Sequence, residues 1–347
     1  MLRPMRERVG LLVVNLGTPE APTTSAVRRY LRQFLSDPRV IDLAAPLRWL
    51  LLNAVILPTR PAKSADAYRK VWTPEGSPLL VNSATFTRAL AERLGSEWPV
   101  ELAMRYGNPS IESAIDRLMR AGADRLVALP MYPHAASSSV GSSVEEIFRV
   151  LARRNDIPPL TVLPPFHADE GFLESWREAM AADTASFKPD HVLFSFHGLP
   201  ERHVLASDTR GASCLSTPSC CDALSQANVG CYRAQCHETA RQLAKRLSLD
   251  SGAWSIAFQS RLGRTPWITP HTDERLRELA HAGTRRLLVA CPGFVADCLE
   301  TVEEIAIRGR ADFIAAGGKE LALVSSLNAR PTWVAAVERL VRRASGE

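Results

Sequence analysis

No apolar run in this chain is long enough to cross a bilayer. The longest, Trp49 to Pro58, is half the required length and follows Arg48. The first residues, MLRPMRERVGLLVVNLG, only superficially resemble a secretory leader: the apolar run is too short, ends at Asn15 and precedes no small-residue cleavage site. The expected location is therefore the cytoplasm. Charge of one sign is scarce too. Forty-two Lys and Arg against 37 Asp and Glu leave +5, compatible with anionic ligands or a membrane surface but far from a nucleic-acid-binding signature. Arg339, Arg342 and Arg343 near the end read as a solvated helix face. No dinucleotide fingerprint or Walker-type lysine follows NLGTP, and no Gly-x-Ser-x-Gly elbow occurs. Those absences argue against a nucleotide enzyme and a serine hydrolase. What is present is a globular composition, 46% hydrophobic and 23% charged, over 347 residues, which suits two domains.

Apolar, β-branched runs alternate with helix-period stretches along the whole length. Strands are predicted at Val9–Asn15, Val100–Arg105, Arg125–Met131 and Leu160–Leu163, then at His191–His197, Trp254–Gln259, Arg286–Pro292 and Glu320–Val324. Helical patterns lie between, at Ser110–Ala121, Ser143–Arg153, Cys236–Leu247 and Thr272–Ala282. Near-continuous apolar strands separated by helices imply parallel sheets covered on both faces. The text also repeats: AGADRLVALPMYP from Ala121 resembles AGTRRLLVACPGF from Ala282, and each is followed by a helix start, SVEEI and TVEEI. The expected fold is α/β, two Rossmann-like domains related by internal duplication with a cleft between them. The expected boundaries are 1–165, 166–325 with a cysteine-rich insert at about 204–231, and a C-terminal helix at 326–347.

Ligands of open parallel sheets bind outside the carboxyl ends of the strands. His197 ends one strand, in VLFSFHGLP, and so stands where a ligand would lie or hydrogen-bonds a loop carbonyl. The turn DCLETVEEI begins beyond the carboxyl end of the strand at Arg286. Asp297 and Glu300 have capping-box spacing, Glu300 and Glu304 share a helical face, and Glu303 points elsewhere, into solvent. An imidazole facing a carboxylate pair either holds a metal ion or moves protons.

At these residues the chain resembles the ferrochelatase family, which inserts ferrous iron into a porphyrin. LLVVNLGTPE, FLSDPRVIDL, EGSPLL, MRYGNPSI, LPMYPHAASSSVGSS, FSFHGLPER, FQSRLGRTPWITPHTDE and CPGFVADCLETVEEI are similar to successive blocks of that family, in order. The resemblance implies a chelatase-like fold, protoporphyrin IX and Fe2+ as substrates, His197 as active-site histidine, Glu300 as the facing acid, and Glu304 beside it. His197 and Glu300 would then touch the substrate iron. Arg105, Tyr106, Tyr132, Gln259, Ser260 and Trp267 match positions that line or support the porphyrin pocket. Coproporphyrin III, another tetrapyrrole or metal, and a non-catalytic bilobed binding protein are the competing readings.

Seven cysteines are unevenly spread, five of them between Cys214 and Cys236. The spacing C-x5-C-C-x9-C-x4-C is not that of a zinc finger or ribbon. Four thiolates suffice for a [2Fe–2S] cluster, and some members of the resembled family carry one. Cys214, Cys220, Cys221 and Cys231 are the candidate ligands, with Cys236 as an alternate. Structural zinc and free thiols remain alternatives. Cys291 and Cys298 read as packing or pocket residues. The stretch Pro46–Pro58 reads either as an ordinary buried helix or as an exposed apolar lip for peripheral membrane contact.

Overall fold

All eight apolar runs form strands, and every strand pairs in parallel, as runs buried on both faces require. The computed structural model describes residues 8–208, 214–217, 219–263 and 265–346. The chain divides into two compact units. The first holds the chain to Met131, then Ala136–Pro165 and everything from Ala329; the second holds Tyr132–Ala135 and Phe166–Asn328.

In the first unit, β1 (Val9–Gly17), β2 (Val100–Tyr106), β3 (Arg125–Pro130) and β4 (Leu160–Val162) lie in the order β2-β1-β3-β4. In the second, β5 (His191–His197), β6 (Trp254–Gln259), β7 (Arg286–Ala290) and β8 (Glu320–Leu323) lie in the order β6-β5-β7-β8. The same strand order in both units is the structural counterpart of the repeated text. Leu12, Val14, Ala103, Ile115, Leu118 and Ile147 fill the first core. Leu193, Ala257, Leu276, Val289, Ile305 and Phe313 fill the second.

Local chemistry fixes the helix starts. Ser110 caps Ile111–Arg120 by accepting from the Ser113 amide, and Asp169 caps Glu170–Phe187 by accepting from the Gly171 and Phe172 amides. The final helix, Pro331–Ser345, belongs to the first unit. Its fully buried Trp333 meets the Phe86 ring at 6.1 Å, and Glu338 pairs with Arg93 at 2.8 Å. Glycine is required where the first strand of each unit ends. A Cβ at Gly17, at φ +117°, would lie 1.8 Å from the Tyr106 carbonyl oxygen. One at Gly198 would lie 2.9 Å from the Gln259 carbonyl oxygen and 3.2 Å from the Trp267 ring.

Three segments are π-helical: Leu51–Ile56, Ser137–Gly141 and Val302–Gly309. A period of 3.6 does not hold in them, and this changes which residues share a face. Among the described residues no helix is long and apolar enough to cross a membrane.

Candidate active site

β5 is buried along its whole length until His197, which is half-buried at its carboxyl end. The imidazole Nδ1 lies 2.6 Å from the Gly198 carbonyl oxygen. A carbonyl only accepts, so Nδ1 carries the proton and the neutral ring keeps its lone pair on Nε2. The rings of Trp267 and Phe294 flank it at 6.5 and 6.3 Å between centroids. The Tyr232 hydroxyl donates to the His197 carbonyl oxygen at 2.7 Å and fixes the backbone. One ring nitrogen thus satisfies a loop carbonyl, as the second reading of His197 expected.

The acidic turn belongs to the same unit. Its capping box is not Asp297 with Glu300 but Cys298 with Thr301, one residue further on. Asp297 is used otherwise. It accepts from the Asn328 and Ser325 side chains and the Ser326 amide and so ties down the loop after β8. Glu303 is also not solvated: it is 7% exposed, with Arg308 at 3.6 Å. The cause is the π-helix at Val302–Gly309, whose wider turn rotates Glu303 inward. Glu304 accepts from the Ser260 amide at 2.8 Å and the Ser260 hydroxyl at 2.5 Å. Burial raises the Glu304 pKa above the ordinary carboxylate value; Ser260, Arg308 and His197 oppose the rise, and Glu300 adds to it. His197, Glu300 and Glu304 thus share one electrostatic environment within the second unit.

Among the described residues no three His, Cys, Asp or Glu side chains converge to hold one metal ion.

The remaining candidate residues fall into two groups. Trp267 flanks His197, with its indole N–H donating to the Leu262 carbonyl at 2.9 Å. Tyr132 is half-buried in the segment that joins the second unit. Gln259 and Ser260 end β6 and bond to the acidic turn instead of presenting free polar atoms. Arg105 and Tyr106 end β2 in the first unit, and their polar atoms are taken up inside it. Arg105 and the Tyr106 hydroxyl donate to the Asp37 carboxylate at 2.7 and 2.8 Å, and Ser142 donates to the same oxygen at 2.6 Å. Burial pushes the Asp37 pKa up. Donation from Ser142, the Arg39 amide and Tyr106, with the Arg105 charge, outweighs it and holds the carboxyl below its usual value. Asp37, Ser142, Tyr232 and Phe294 were not singled out from the sequence. Asp37 stands in the SDPR turn, but nothing in that turn announces partners 68 and 105 residues away.

The thiols gather pairwise. Cys220 Sγ lies 3.7 Å from Cys221 Sγ, and Cys214 and Cys221 each hydrogen-bond Cys231. Cys231 is the N-cap of helix Tyr232–Arg246. The Cys221 hydrogen bond draws its pKa down to about 6 against the effect of burial, helped by the Ala234 and Arg233 amides and by Cys214. Burial, then Cys231, pushes Cys214 up to about 12. Cys236 is fully buried, and burial keeps its thiol protonated beside Tyr232. Cys291 and Cys298 are buried as well. The donor set is soft and of the right number for an iron–sulfur cluster. Its sulfurs do not converge on one point.

Parallel sheets of this order, with an imidazole and carboxylates at the carboxyl-end rim, define a chelatase-type α/β enzyme. The fold is shared with SirB from Bacillus subtilis, at a TM-score of 0.50 and 13% identity over 97% of this chain and 95% of that one. The family model for ferrochelatase matches residues 8–345. The chain is 50% identical to the ferrochelatase of Azotobacter vinelandii over 96% of this chain and 98% of that protein. It is 45% identical to that of Coxiella burnetii strain Dugway 5J108-111 over 97% and 94%. The chain belongs to the ferrochelatase family.

Proposed function

We propose that this enzyme inserts ferrous iron into protoporphyrin IX to form protohaem. The observation that carries the reading is the half-buried His197, its Nε2 lone pair free, between two aromatic rings and electrostatically coupled to Glu304. The reaction replaces two pyrrole N–H protons by one Fe2+, so two protons must leave. His197 Nε2 accepts a proton from a pyrrole nitrogen. Glu304, held by Ser260, and Glu300 beside it supply negative charge that attracts the cation and receives protons in turn. Trp267 and Phe294 offer flat apolar surface to the macrocycle.

The enzyme works in the cytoplasm and touches a membrane surface. Support comes from the helix Ala45–Leu50, which has no buried residue. Trp49 is 66% exposed, with Leu47, Leu50 and Val55 exposed around it and Arg48 and Arg60 nearby in sequence. An apolar group of this kind with flanking cations suits the interface of an anionic bilayer and a substrate that partitions there. One assay tests both statements. Purified protein is given ferrous iron and protoporphyrin IX or coproporphyrin III, free or in anionic vesicles, with absorbance and co-sedimentation read together. The expected result is faster turnover of protoporphyrin and sedimentation with the vesicles. Preference for coproporphyrin, or protein left in the supernatant, overturns the corresponding statement.

Cys214, Cys220, Cys221 and Cys231 are proposed to hold a [2Fe–2S] cluster, which would supply one-electron chemistry and tether the insert. Cys220 lies beside Cys221, Cys221 and Cys214 each hydrogen-bond Cys231, and Arg241 donates to the Cys221 carbonyl at 2.8 Å. Protein purified without oxygen is expected to be red-brown, with two irons per chain that a chelator removes. Colourless protein, or zinc in their place, rejects the cluster.

A further inference from the structure

Gln259 and Ser260 bond to both the imidazole turn and the acidic helix. Gln259 is 2% exposed and stands in register with His197. Its backbone carbonyl accepts from the Gly198 amide at 2.8 Å, which pins the turn directly after the imidazole. Its side-chain Oε1 accepts from the Ser195 hydroxyl at 2.7 Å, and Nε2 donates to the Glu300 carbonyl at 2.8 Å. Ser195 in turn bonds Thr272 at 2.9 Å, so the amide cannot flip without breaking a buried chain of hydrogen bonds. Ser260 follows at φ +67°, a left-handed conformation. For a residue with a side chain this conformation is strained. The strained backbone aims both the amide and the hydroxyl of one residue at the two oxygens of Glu304.

We infer that Gln259 and Ser260 are positioning residues, a clamp that sets the imidazole turn and the acidic helix in one fixed relation. The clamp acts on Glu304, which lies in a π-helical segment, a local irregularity frequent at functional sites. Without Ser260 the carboxylate is free to turn toward Arg308, 3.7 Å away. The effect of the two clamp residues falls on the geometry between proton acceptor and carboxylates, where displacement by about 1 Å costs as much as 100-fold in rate.

The inference rests on the chelatase reading above, and its test separates the two. Ser260→Gly keeps the left-handed backbone and the amide donor but deletes the hydroxyl. Ser260→Asn restores a side-chain donor on a residue that tolerates this conformation. Gln259→Met keeps volume and removes the polar bridge. Ser260→Gly and Gln259→Met are expected to lower kcat by roughly 10- to 100-fold with porphyrin KM unchanged within about twofold, and Ser260→Asn to recover most of the loss. Wild-type kcat in Ser260→Gly, or a KM change that accounts for the whole loss, overturns the clamp. If the wild-type protein inserts no iron, the chelatase reading fails instead. The clamp is then judged by the crystal structure of Ser260→Gly. A Glu304 carboxylate displaced from the residue 260 amide supports the clamp, and one left in place overturns it.

Discussion

His197→Ala is expected to abolish iron insertion while leaving porphyrin affinity within about tenfold, or roughly 1.4 kcal/mol. The loss in kcat should reach about 1,000-fold, the middle of the range for removing a general base. The argument separates the two faces of the ring. Nδ1 bonds only the next residue's carbonyl, so its removal breaks one short-range contact. The backbone around it is held by Tyr232 and by the Gly198 amide on Gln259. Folding should therefore survive, and thermal unfolding should shift by no more than a few degrees. Nε2 has no such substitute, because the neighbouring groups are carboxylates and aromatic rings. Single-turnover absorbance with ferrous iron, beside fluorescence titration of the porphyrin, reads both quantities. Turnover near the wild-type rate would remove His197 from the chemistry. Loss of porphyrin binding in proportion to activity would make it a binding residue instead.

The strand pattern was readable because buried parallel strands leave continuous apolar text. All eight appear where the sequence places them, with His191–His197 and Trp254–Gln259 matching end for end. The rim rule then placed His197 and the acidic turn on the same unit's carboxyl edge. What the sequence did not show is which polar groups are already spent. The polar atoms of Arg105 and Tyr106 bond Asp37 and Ser142. Such pairings span large sequence distances and leave no periodic trace. The π-helices were invisible for another reason. A wider turn changes which residues share a face without changing composition, and Glu303 lies in the interior and not on the expected solvent side. The Pro46–Pro58 run is divided: helix Ala45–Leu50 has no buried residue, while Leu52 and Leu57 are buried.

Acid should unfold the second unit first. Four of its histidines are held below the usual imidazole value. Burial is the leading cause for each: His134 well below, His237 down to about 3, and His167 and His191 lowered. Like or positive charges add to the lowering at three of them: His134 faces His167, His191 faces Arg275, and His237 faces Arg233 and Arg241, while the Gly252 backbone partly relieves His191 and Glu238 partly relieves His167. A histidine with a depressed folded pKa binds its proton more readily when unfolded. Its contribution is complete above the unfolded value near 6.5 and drains away as pH falls toward the folded value. Glu304 runs the other way. Its raised pKa makes the folded state take up a proton above pH 4.5, which returns part of the loss. One carboxylate does not offset four imidazoles. By pH 5 His237 removes about 2 kcal/mol, and His134, lowered well below the usual value, adds to the loss in the same direction. In a unit of this size the melting temperature should fall by at least about 5 °C. Asp37, the buried carboxylate of the first unit, is held low and stays charged through the whole window. Calorimetry at pH 7.5, 6 and 5 should therefore show a transition that moves down with acid. His134→Gln with His237→Gln, which removes both protonation sites, should flatten that slope by about half. A melting temperature constant between pH 7.5 and 5 would mean that water or local opening solvates these imidazoles in the folded chain.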